Sequence, residues 1–468
     1  MVYHQTVLAD LLTPVSAFLK VARDADRAFL LESVEGGEKI ARYSFIGVNP
    51  YRSYEGSFAE FRQGFPPVQE SEPDLPPFTG GAVGIFCYDL VREFERLPDR
   101  QKADLPSVMM DYYATVLAFD HLLHRIVIMS HDSMDQVEEL ECRLLEGPLG
   151  VALPSPDRHS RTVLVGPEGN GARFRHGVEA AQEYIRAGDI FQVVLSQRFT
   201  ADFDGDPFNV YRALRYLNPS PYLFFLKRDG VCVAGSSPEM LLRVQGRELE
   251  YRPIAGTRRR GRTAEEEKAL EQELLADEKE KAEHVMLVDL GRNDLGRVSE
   301  SGSVCVEEFM FLEKYSHVMH LVSALGARLR PGLDRFDALA ACFPAGTVSG
   351  APKVRAMEII DELEPCPRGM YAGAIGYLDY SGNLDTCIAI RTIVMQAGQA
   401  IFQAGAGIVA DSVPELEDKE CRNKAQVLAQ ALELSHQFAV PRIGADNTRI
   451  GAAADRRGQQ ADTKGQRL

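Results

Sequence analysis

The sequence contains no tryptophan, and its eight cysteines include no CxxC pair. The chain therefore lacks the usual signature of a zinc ribbon, and scattered thiols are typical of a reducing cytoplasm rather than of a disulfide framework. No apolar run approaches the roughly 20 residues that a membrane-spanning helix needs. The N-terminus lacks the charged segment and apolar core of a signal peptide. These absences predict a cytoplasmic protein with no membrane partner.

Basic residues are also in short supply, with 52 Lys and Arg against 68 Asp and Glu and a formal net charge of −16. A nucleic-acid partner favours a basic surface, so we expect none. Hydrophobic residues make up 45% and charged residues 26%, the proportions of a soluble globular protein with a large core. A length of 468 residues allows two or three domains, or one large α/β domain with a smaller partner.

Turn-forming residues indicate where the chain divides. The stretch from Gly147 to Gly171 is dense in Pro, Gly, Ser and charged residues. We therefore predict a linker at 151–172 between an N-terminal portion, 1–150, and a C-terminal portion, 173–436. After residue 436 the chain loses its apolar periodicity, which predicts a polar, disordered tail at 437–468.

Helix and strand patterns follow each other in mixed order, with several adjacent strands, which predicts an α/β layered fold with large antiparallel or mixed sheets. The predicted helices cover 174–187, 207–217, 263–290, 334–342, 353–363 and 415–435. The main predicted strands cover 28–33, 43–47, 80–86, 190–198, 221–226, 231–235, 240–244, 371–380, 385–395 and 401–405.

Two of these helices carry carboxylates at helical spacing. Glu280 and Glu283 share a face of one helix, and Glu417 and Glu420 share a face of the other, because residues three apart are neighbours. Two such pairs can hold one hard divalent cation between them. For either pair taken alone, a simple solvated helix face is the better interpretation.

Arg391 ends the apolar, alternating segment that begins at Asp385. In a continuous strand it would point to the same side as Cys387 and Ala389. An arginine in such apolar surroundings needs an anion such as a carboxylate, either on a ligand or in a structural salt bridge.

Three other segments suit ligand binding. The glycines of 403–408 allow close backbone approach, although no GK[ST] follows as it would in a P-loop. The turn-rich segment 343–353 leads into a helix N-terminus, which favours anions. Glu239 follows a tight Ser-Ser-Pro turn and presents a carboxyl group suited to general acid catalysis.

These segments occur together, and in the same order, in one protein family. From about Phe29 to Leu432 the chain resembles the large subunit (component I) of anthranilate synthase, a chorismate-utilising enzyme. The resemblance implies two large, mainly antiparallel sheets packed together, with helices outside. The matching segments are Leu30–Ser33, Arg42–Gly47, Asn218–Tyr222, Ser237–Glu239, Pro253–Thr257, Ala282–His284, Val318–Leu321, Phe343–Lys353 and Gln403–Gly407.

The resemblance implies an active site that uses Mg²⁺. Glu283 and Glu420 match the family's Mg²⁺ ligands, while Glu280 and Glu417 match carboxylates that support them through water. The positions that correspond to chorismate-binding residues are Gly256, Thr257, Tyr371, Arg391, Gly405, Gly407 and Lys424.

The resemblance also assigns proton transfers. Glu239 matches the general acid that protonates the departing C4 hydroxyl group as ammonia adds at C2. His320 matches the histidine needed for loss of pyruvate in the second step, although a lone histidine is more often a satisfied core residue.

Two positions separate the relatives. Enzymes that add water carry a lysine base where this chain has Gln192, and a neutral amide cannot deprotonate water. Aminodeoxychorismate synthases commonly carry lysine where this chain has Ala255. We therefore predict an anthranilate synthase large subunit acting in tryptophan biosynthesis. The alternatives are component I of aminodeoxychorismate synthase, in the folate pathway, and a catalytically silent tryptophan-binding regulatory protein.

The resemblance implies regulation and a partner as well. No glutaminase segment is recognisable, so we expect a separate glutamine amidotransferase subunit (component II) to supply ammonia within a heterotetramer. Asn218–Pro221 has a simple turn as its alternative interpretation. The positions that match the family's site for L-tryptophan, a feedback inhibitor, are Glu32, Ser33, Asn218, Pro221, Tyr222, Leu223, Phe224 and Gly235.

Overall fold

The strands of the described residues form two antiparallel sheets, one of 12 strands and one of 10. The computed structural model describes residues 1–22, 25–33, 42–98, 100, 102–146, 166–167, 171–315 and 318–438. Most of the predicted linker at 151–172 and nearly all of the predicted tail at 437–468 lie outside these residues.

The larger sheet runs in the order β1-β8-β7-β3-β2-β11-β12-β21-β22-β10-β18, with β9 beside β10. Its strands are β1 (Tyr3–Leu8), β2 (Arg27–Glu32), β3 (Tyr43–Val48), β7 (Thr115–Asp120), β8 (Arg125–Ser130), β9 (Gly166–Pro167), β10 (Gln192–Asp202), β11 (Tyr222–Arg228), β12 (Val231–Ser237), β18 (Gly350–Ala351), β21 (Thr392–Gln396) and β22 (Gln399–Ile408).

The smaller sheet runs in the order β15-β17-β14-β13-β20-β19-β5-β6-β4, with β16 beside β17. Its strands are β4 (Arg52–Gly56), β5 (Gly81–Phe86), β6 (Val108–Tyr113), β13 (Met240–Gln245), β14 (Glu248–Tyr251), β15 (Ile254–Arg259), β16 (Cys305–Lys314), β17 (Val318–Arg328), β19 (Ala374–Asp379) and β20 (Leu384–Ile388).

Helices cover the outer face of each sheet. The α-helices are α1 (Pro14–Val21), α2 (Phe58–Gln63), α3 (Met134–Leu145), α4 (Ala172–Arg186), α5 (Pro207–Leu217), α6 (Ala264–Ala276), α7 (Glu278–Gly296), α8 (Arg335–Cys342), α9 (Lys353–Leu363) and α10 (Pro414–Ser435). Short 3₁₀ segments occur at Tyr88–Glu93 and Gly346–Val348. None of the helices in the described ranges combines the length and apolar character needed to span a membrane.

The core consists of apolar layers between these elements. Phe29, Phe45 and Phe224 from the larger sheet pack with Ile85 and Ile375 from the smaller one. Helices α1, α3, α4, α5, α9 and α10 pack on the outer face of the larger sheet, and α2, α7 and α8 on that of the smaller. The predicted fold of two packed antiparallel sheets with helices outside is confirmed.

One prediction of a helix is wrong in its extent. Instead of a single helix at 263–290, α6 ends and α7 begins at Asp277, whose backbone is extended at φ −72° and ψ 104°. Its carboxylate accepts the backbone N–H groups of Lys279 and Glu280 at 3.1 and 3.2 Å. This is an N-cap, and such a cap starts a new helix without the proline or glycine that usually marks a break.

The predicted strand at 385–395 is wrong as well. It comprises β20, in the smaller sheet, and β21, in the larger sheet. Arg391 lies in the crossing between them, with φ at +50°. The expected alternation with Cys387 and Ala389 therefore does not reach Arg391, because the crossing turns the backbone before the arginine.

Both sheets combine strands from the beginning and the end of the chain. In the larger sheet β2 pairs with β11, and in the smaller sheet β5 pairs with β19. The predicted portions, 1–150 and 173–436, therefore share both sheets and the core between them.

Candidate active site

Glu239 lies in the turn between β12 and β13 and is only 5% exposed. Burial raises the pKa of its carboxyl group to about 8, against smaller lowering effects from the Thr347 hydroxyl, the Ile254 backbone N–H and Arg391. Below that pH the neutral acid predominates, since burial disfavours the charged form. Glu239 can therefore donate a proton near neutral pH.

Arg391 supplies a positive charge near Glu239. Burial lowers the pKa of its guanidinium group, and the nearby Glu239 carboxyl group opposes that shift. Its Nη1 donates to the Asn218 side-chain oxygen at 3.4 Å. Within the described ranges its side chain forms no salt bridge with a carboxylate of the protein. The alternative of a structural salt bridge therefore does not hold in these ranges, and the guanidinium remains suited to an anionic ligand.

His320 lies on β17 and is 3% exposed. Its Nδ1 lies 3.1 Å from the Gly256 carbonyl oxygen and 3.0 Å from the Thr257 hydroxyl. A carbonyl only accepts, so we assign the proton of the neutral ring to Nδ1. Burial and Arg391 lower the pKa of the ring to about 4. In the described part of the chain Nε2 has no partner, so its lone pair is free to act as a base.

Two glycines of β22 let side chains lie directly against its backbone. A Cβ on Gly405 would come within 2.8 Å of the Tyr371 hydroxyl, and a Cβ on Gly407 within 2.4 Å of the Gln192 amide nitrogen. Lys424 Nζ donates to the Gly405 carbonyl oxygen at 3.0 Å. Five of the predicted catalytic and substrate-binding residues thus meet at this strand.

The first carboxylate pair is on α7. Glu283 accepts from Gln192 Nε2 at 3.2 Å, and Glu280 lies 3.4 Å from Arg258 Nη1. Burial raises the pKa of Glu280, and the neighbouring charge of Glu283 adds to that shift.

The second pair is on α10. Burial raises the pKa of Glu417, the Ser412 hydroxyl lowers it, and the charge of Glu420 raises it further. Lys279, on α7, also acts on this carboxyl group, so the two helices are close there. Glu420 forms a 2.7 Å ion pair with Lys424.

The four carboxylates suit Mg²⁺ in their chemistry, because this ion prefers hard oxygen ligands. Each pair also carries a like-charge repulsion that a bound cation would relieve. Among the described residues no group of three or more His, Cys, Asp or Glu is arranged to hold a metal by itself. An ion bound by these helices would therefore need further oxygen ligands from water or substrate.

A separate cavity of about 360 Å³ lies between the two sheets. Glu32, Ser33, Tyr222, Leu223 and Phe224, all predicted for the tryptophan site, line it.

The other three predicted residues of that site lie elsewhere. Asn218 contacts Arg391 and donates to the Ser236 hydroxyl at 3.1 Å. Pro221 is buried just before β11. Gly235 provides space for the Phe224 ring, whose Cζ would lie 2.2 Å from an added Cβ. None of the three is among the residues that line the cavity.

The sequence did not predict the polar residues that line the cavity opposite the predicted tryptophan-site residues. Arg243 Nε donates to Asp385 at 2.8 Å, and the Tyr222 hydroxyl donates to the same carboxylate at 3.0 Å. Arg42 and Tyr43 also line the cavity. Only the last two carried a signal, as part of the matching segment Arg42–Gly47.

Comparisons with known proteins agree with this geometry. The sequence model of the chorismate binding enzyme family matches residues 27–430. The chain is 49% identical to anthranilate synthase component 1 of Acetivibrio thermocellus, covering 91% of this chain and 94% of that relative. It is 48% identical to the protein of the same name from Thermus thermophilus, covering 92% and 98%.

Solved structures extend the comparison to the fold. The crystal structure of anthranilate synthase component I from Streptococcus pneumoniae TIGR4 matches with a TM-score of 0.75 and 37% identity, covering 90% of this chain and 99% of that one. The menaquinone-specific isochorismate synthase MenF of Escherichia coli matches with a TM-score of 0.72 at 20% identity, covering 92% and 95%, and this likeness supports the fold alone. The predicted resemblance is confirmed, and the chain belongs to the chorismate binding enzyme family, among the anthranilate synthase component 1 proteins.

Proposed function

We propose that the protein converts chorismate and ammonia into anthranilate and pyruvate. One observation carries this proposal: Arg391, without a carboxylate partner in the described ranges, acts on the pKa of both Glu239 and His320. A protonated acid, a neutral base and an available cation are what an amination with loss of water, followed by an elimination, requires.

In the first step Arg391 and the Tyr371 hydroxyl bind the substrate carboxylates against the backbone of Gly405. Glu239 then gives its proton to the departing C4 hydroxyl group, which leaves as water. Ammonia forms the new bond at C2, giving aminodeoxyisochorismate. Arg391 stabilises the Glu239 carboxylate that remains.

In the second step Nε2 of His320 accepts the proton from C2. The electron pair of that C–H bond enters the ring, and the bond from C3 to the enolpyruvyl oxygen breaks with its electron pair on the oxygen. The enolate that leaves takes up a proton at its methylene carbon and becomes pyruvate, so that the proton accepted by His320 is balanced. Gly256 and Thr257 hold the imidazole through Nδ1, so that Nε2 keeps its lone pair toward the substrate.

We further propose that Glu283 and Glu420 bind Mg²⁺, with Glu280 and Glu417 in support. The bound ion would fix the ring carboxylate of chorismate and neutralise its charge.

A glutamine amidotransferase subunit as the ammonia source, in a heterotetramer, is part of the same proposal, and the component 1 name of the relatives supports a partner subunit. Feedback inhibition by L-tryptophan is supported by the five predicted residues that line the inter-sheet cavity. A cytoplasmic location is supported by the eight cysteines, none of which forms a disulfide in the described part of the chain.

Aminodeoxychorismate synthase component I is the second candidate function. It is disfavoured by Ala255, because a side chain without an amine cannot form a covalent adduct with the ring. A catalytically silent tryptophan-binding protein is disfavoured by the intact set of Glu239, His320 and Arg391.

Product identity tests the proposal. The purified chain is incubated with chorismate, Mg²⁺ and an ammonium salt near pH 8, and anthranilate is followed by its fluorescence. Anthranilate is the expected product. Accumulation of aminodeoxychorismate would support the folate-pathway candidate, and no turnover with the amidotransferase present would support the silent binding protein.

Replacing Glu283 with glutamine tests the metal proposal. We expect kcat/KM to fall about 100-fold at fixed Mg²⁺, because a neutral amide is a much weaker ligand than a carboxylate. The matched control is Glu278→Gln, at the start of α7, whose side chain is 86% exposed. Activity is measured across a Mg²⁺ titration, with thermal unfolding to verify the fold. Unchanged activity at limiting Mg²⁺ would remove Glu283 from the metal site.

Replacing Ser33 with leucine tests the cavity. We expect catalysis to persist and inhibition by L-tryptophan to weaken at least about tenfold, because the larger side chain occupies space that the ligand needs. The exposed Ser71→Leu serves as the matched control. The rate of anthranilate formation is measured without tryptophan and at increasing tryptophan concentrations. An unchanged inhibition constant would show that tryptophan binds elsewhere.

A further inference from the structure

Glu364 and Arg368 form a buried ion pair just behind the candidate active site. Their side chains are 3% and 1% exposed. The guanidinium donates to the carboxylate through Nε at 3.0 Å and through Nη2 at 2.7 Å, a bidentate arrangement. Neither residue belongs to the chemistry proposed above.

The remaining donors of Arg368 bind backbone on two other elements. Nη1 donates to the Val348 carbonyl oxygen at 2.6 Å, and Nη2 donates to the Val194 carbonyl oxygen at 2.7 Å. The guanidinium also lies over the Tyr371 ring, 5.6 Å from its centroid. Val348 follows Thr347, whose hydroxyl acts on the pKa of Glu239, so the guanidinium reaches three walls of the site.

The carboxylate of Glu364 contacts the same strand two residues further on, at Ser196. One of its oxygens accepts the backbone N–H of Ser196 at 2.8 Å and the Ser196 hydroxyl at 2.7 Å. Ser196 pairs with Gly405 across β10 and β22. The pair therefore holds the strand that faces the glycine backbone proposed to receive a substrate carboxylate.

We infer that Glu364 and Arg368 act together as positioning residues for the substrate site. Burying two charges costs desolvation energy, and well-packed apolar residues often stabilise a fold as well as a buried ion pair does. A network in which every guanidinium nitrogen has a partner fixes geometry instead. A misplacement of about 1 Å can cost about 100-fold in rate. The inference rests on the proposed function, because Tyr371 and Gly405 are substrate contacts only there.

The test compares two buried arginines. Arg368→Lys keeps the charge but loses the bidentate geometry and the planar contact with Tyr371. Its matched control is Arg228→Lys, since Arg228 pairs with Asp111 at 2.9 Å with side-chain exposures of 9% and 2%, away from the candidate site. We expect a loss of kcat/KM for chorismate of about tenfold or more for Arg368→Lys, mostly in kcat, and less than twofold for Arg228→Lys.

A second variant separates positioning from folding. Glu364→Leu combined with Arg368→Met removes the network while retaining side-chain volume. We expect this double variant to fold but to have a catalytic rate as low as that of Arg368→Lys. Wild-type activity in this variant, or equal losses in the two lysine variants, would overturn the inference. Amide hydrogen exchange at 192–196 and 346–349 is measured in parallel. We expect the exchange rate to rise only when Arg368 is changed, and an unchanged exchange rate would overturn the inference. The proposed function fails on a different result, namely that the wild-type chain makes no anthranilate. The exchange measurement remains informative in that case as well.

Discussion

Replacing Glu239 with glutamine is expected to lower kcat by about a thousandfold while leaving the fold intact. Glutamine has nearly the same shape but no acidic proton, so the C4 hydroxyl group would have to leave without general acid assistance. The matched control is the exposed Glu415→Gln, on the first turn of α10. Single-turnover kinetics with chorismate and ammonia measure the effect. Activity near that of the wild type would remove Glu239 from the reaction.

The pH dependence gives an independent measure of the same group. With a pKa of about 8 in the folded state, Glu239 loses its proton as the pH rises through 8, so the wild-type rate should fall on the alkaline side. The glutamine variant should lack this component of the profile.

The free energy of unfolding is also expected to depend on the protonation of Glu239. The folded state retains it between the ordinary pKa of 4.5 and about 8, whereas the unfolded chain releases it. The free energy of unfolding therefore decreases with rising pH over this window. The glutamine variant should lose that contribution to the slope, which denaturant titrations at pH 5 and pH 8 would detect.

Replacing His320 with asparagine is expected to stop the reaction after its first step. The asparagine amide can still donate to the Gly256 carbonyl oxygen, as Nδ1 does in the wild type, but it provides no base in place of Nε2. Aminodeoxyisochorismate should accumulate, and anthranilate formation should fall by about 100-fold to 10,000-fold.

Product analysis by chromatography distinguishes this outcome from general damage. A variant that merely misfolds would lose both steps together. His131→Asn serves as the control, since burial also lowers the pKa of His131 but its ring contacts Thr79 and Gln69, not the candidate site. Anthranilate formation at the wild-type rate by His320→Asn would exclude the proposed role of His320.

Much of the fold was predictable from local patterns. Helix α5 has the predicted bounds, 207–217, because Asp206 caps it, Pro207 opens it and Asn218 ends it. The strand that carries His320 was not predicted, since a histidine and a serine interrupt its apolar pattern. The crossing at Arg391 was not predictable either, because each half of 385–395 looks like a strand and only tertiary structure assigns the halves to different sheets.

For the candidate site too, some features were predictable from the sequence and others were not. Family motifs pointed to Glu239, His320 and Arg391, but their protonation depends on burial, which a sequence does not give. The contact between Asn218 and Arg391 joins α5 to the crossing between the sheets, and no local pattern indicates it. The buried pair of Glu364 and Arg368 is four residues apart in the chain and looks like an ordinary surface pair until its exposure is known.

The shared sheets have a consequence for how the chain is made. The backbone N–H of Thr79 is bonded to the Asp379 carboxylate, a partner 300 residues later. During synthesis β5 therefore leaves the ribosome long before β19 exists, with one edge unpaired and prone to association. Contacts so distant in sequence also make folding slow. The smaller sheet, and with it the support for Glu239 and His320, is completed only after β20, which ends at Ile388, has been synthesised.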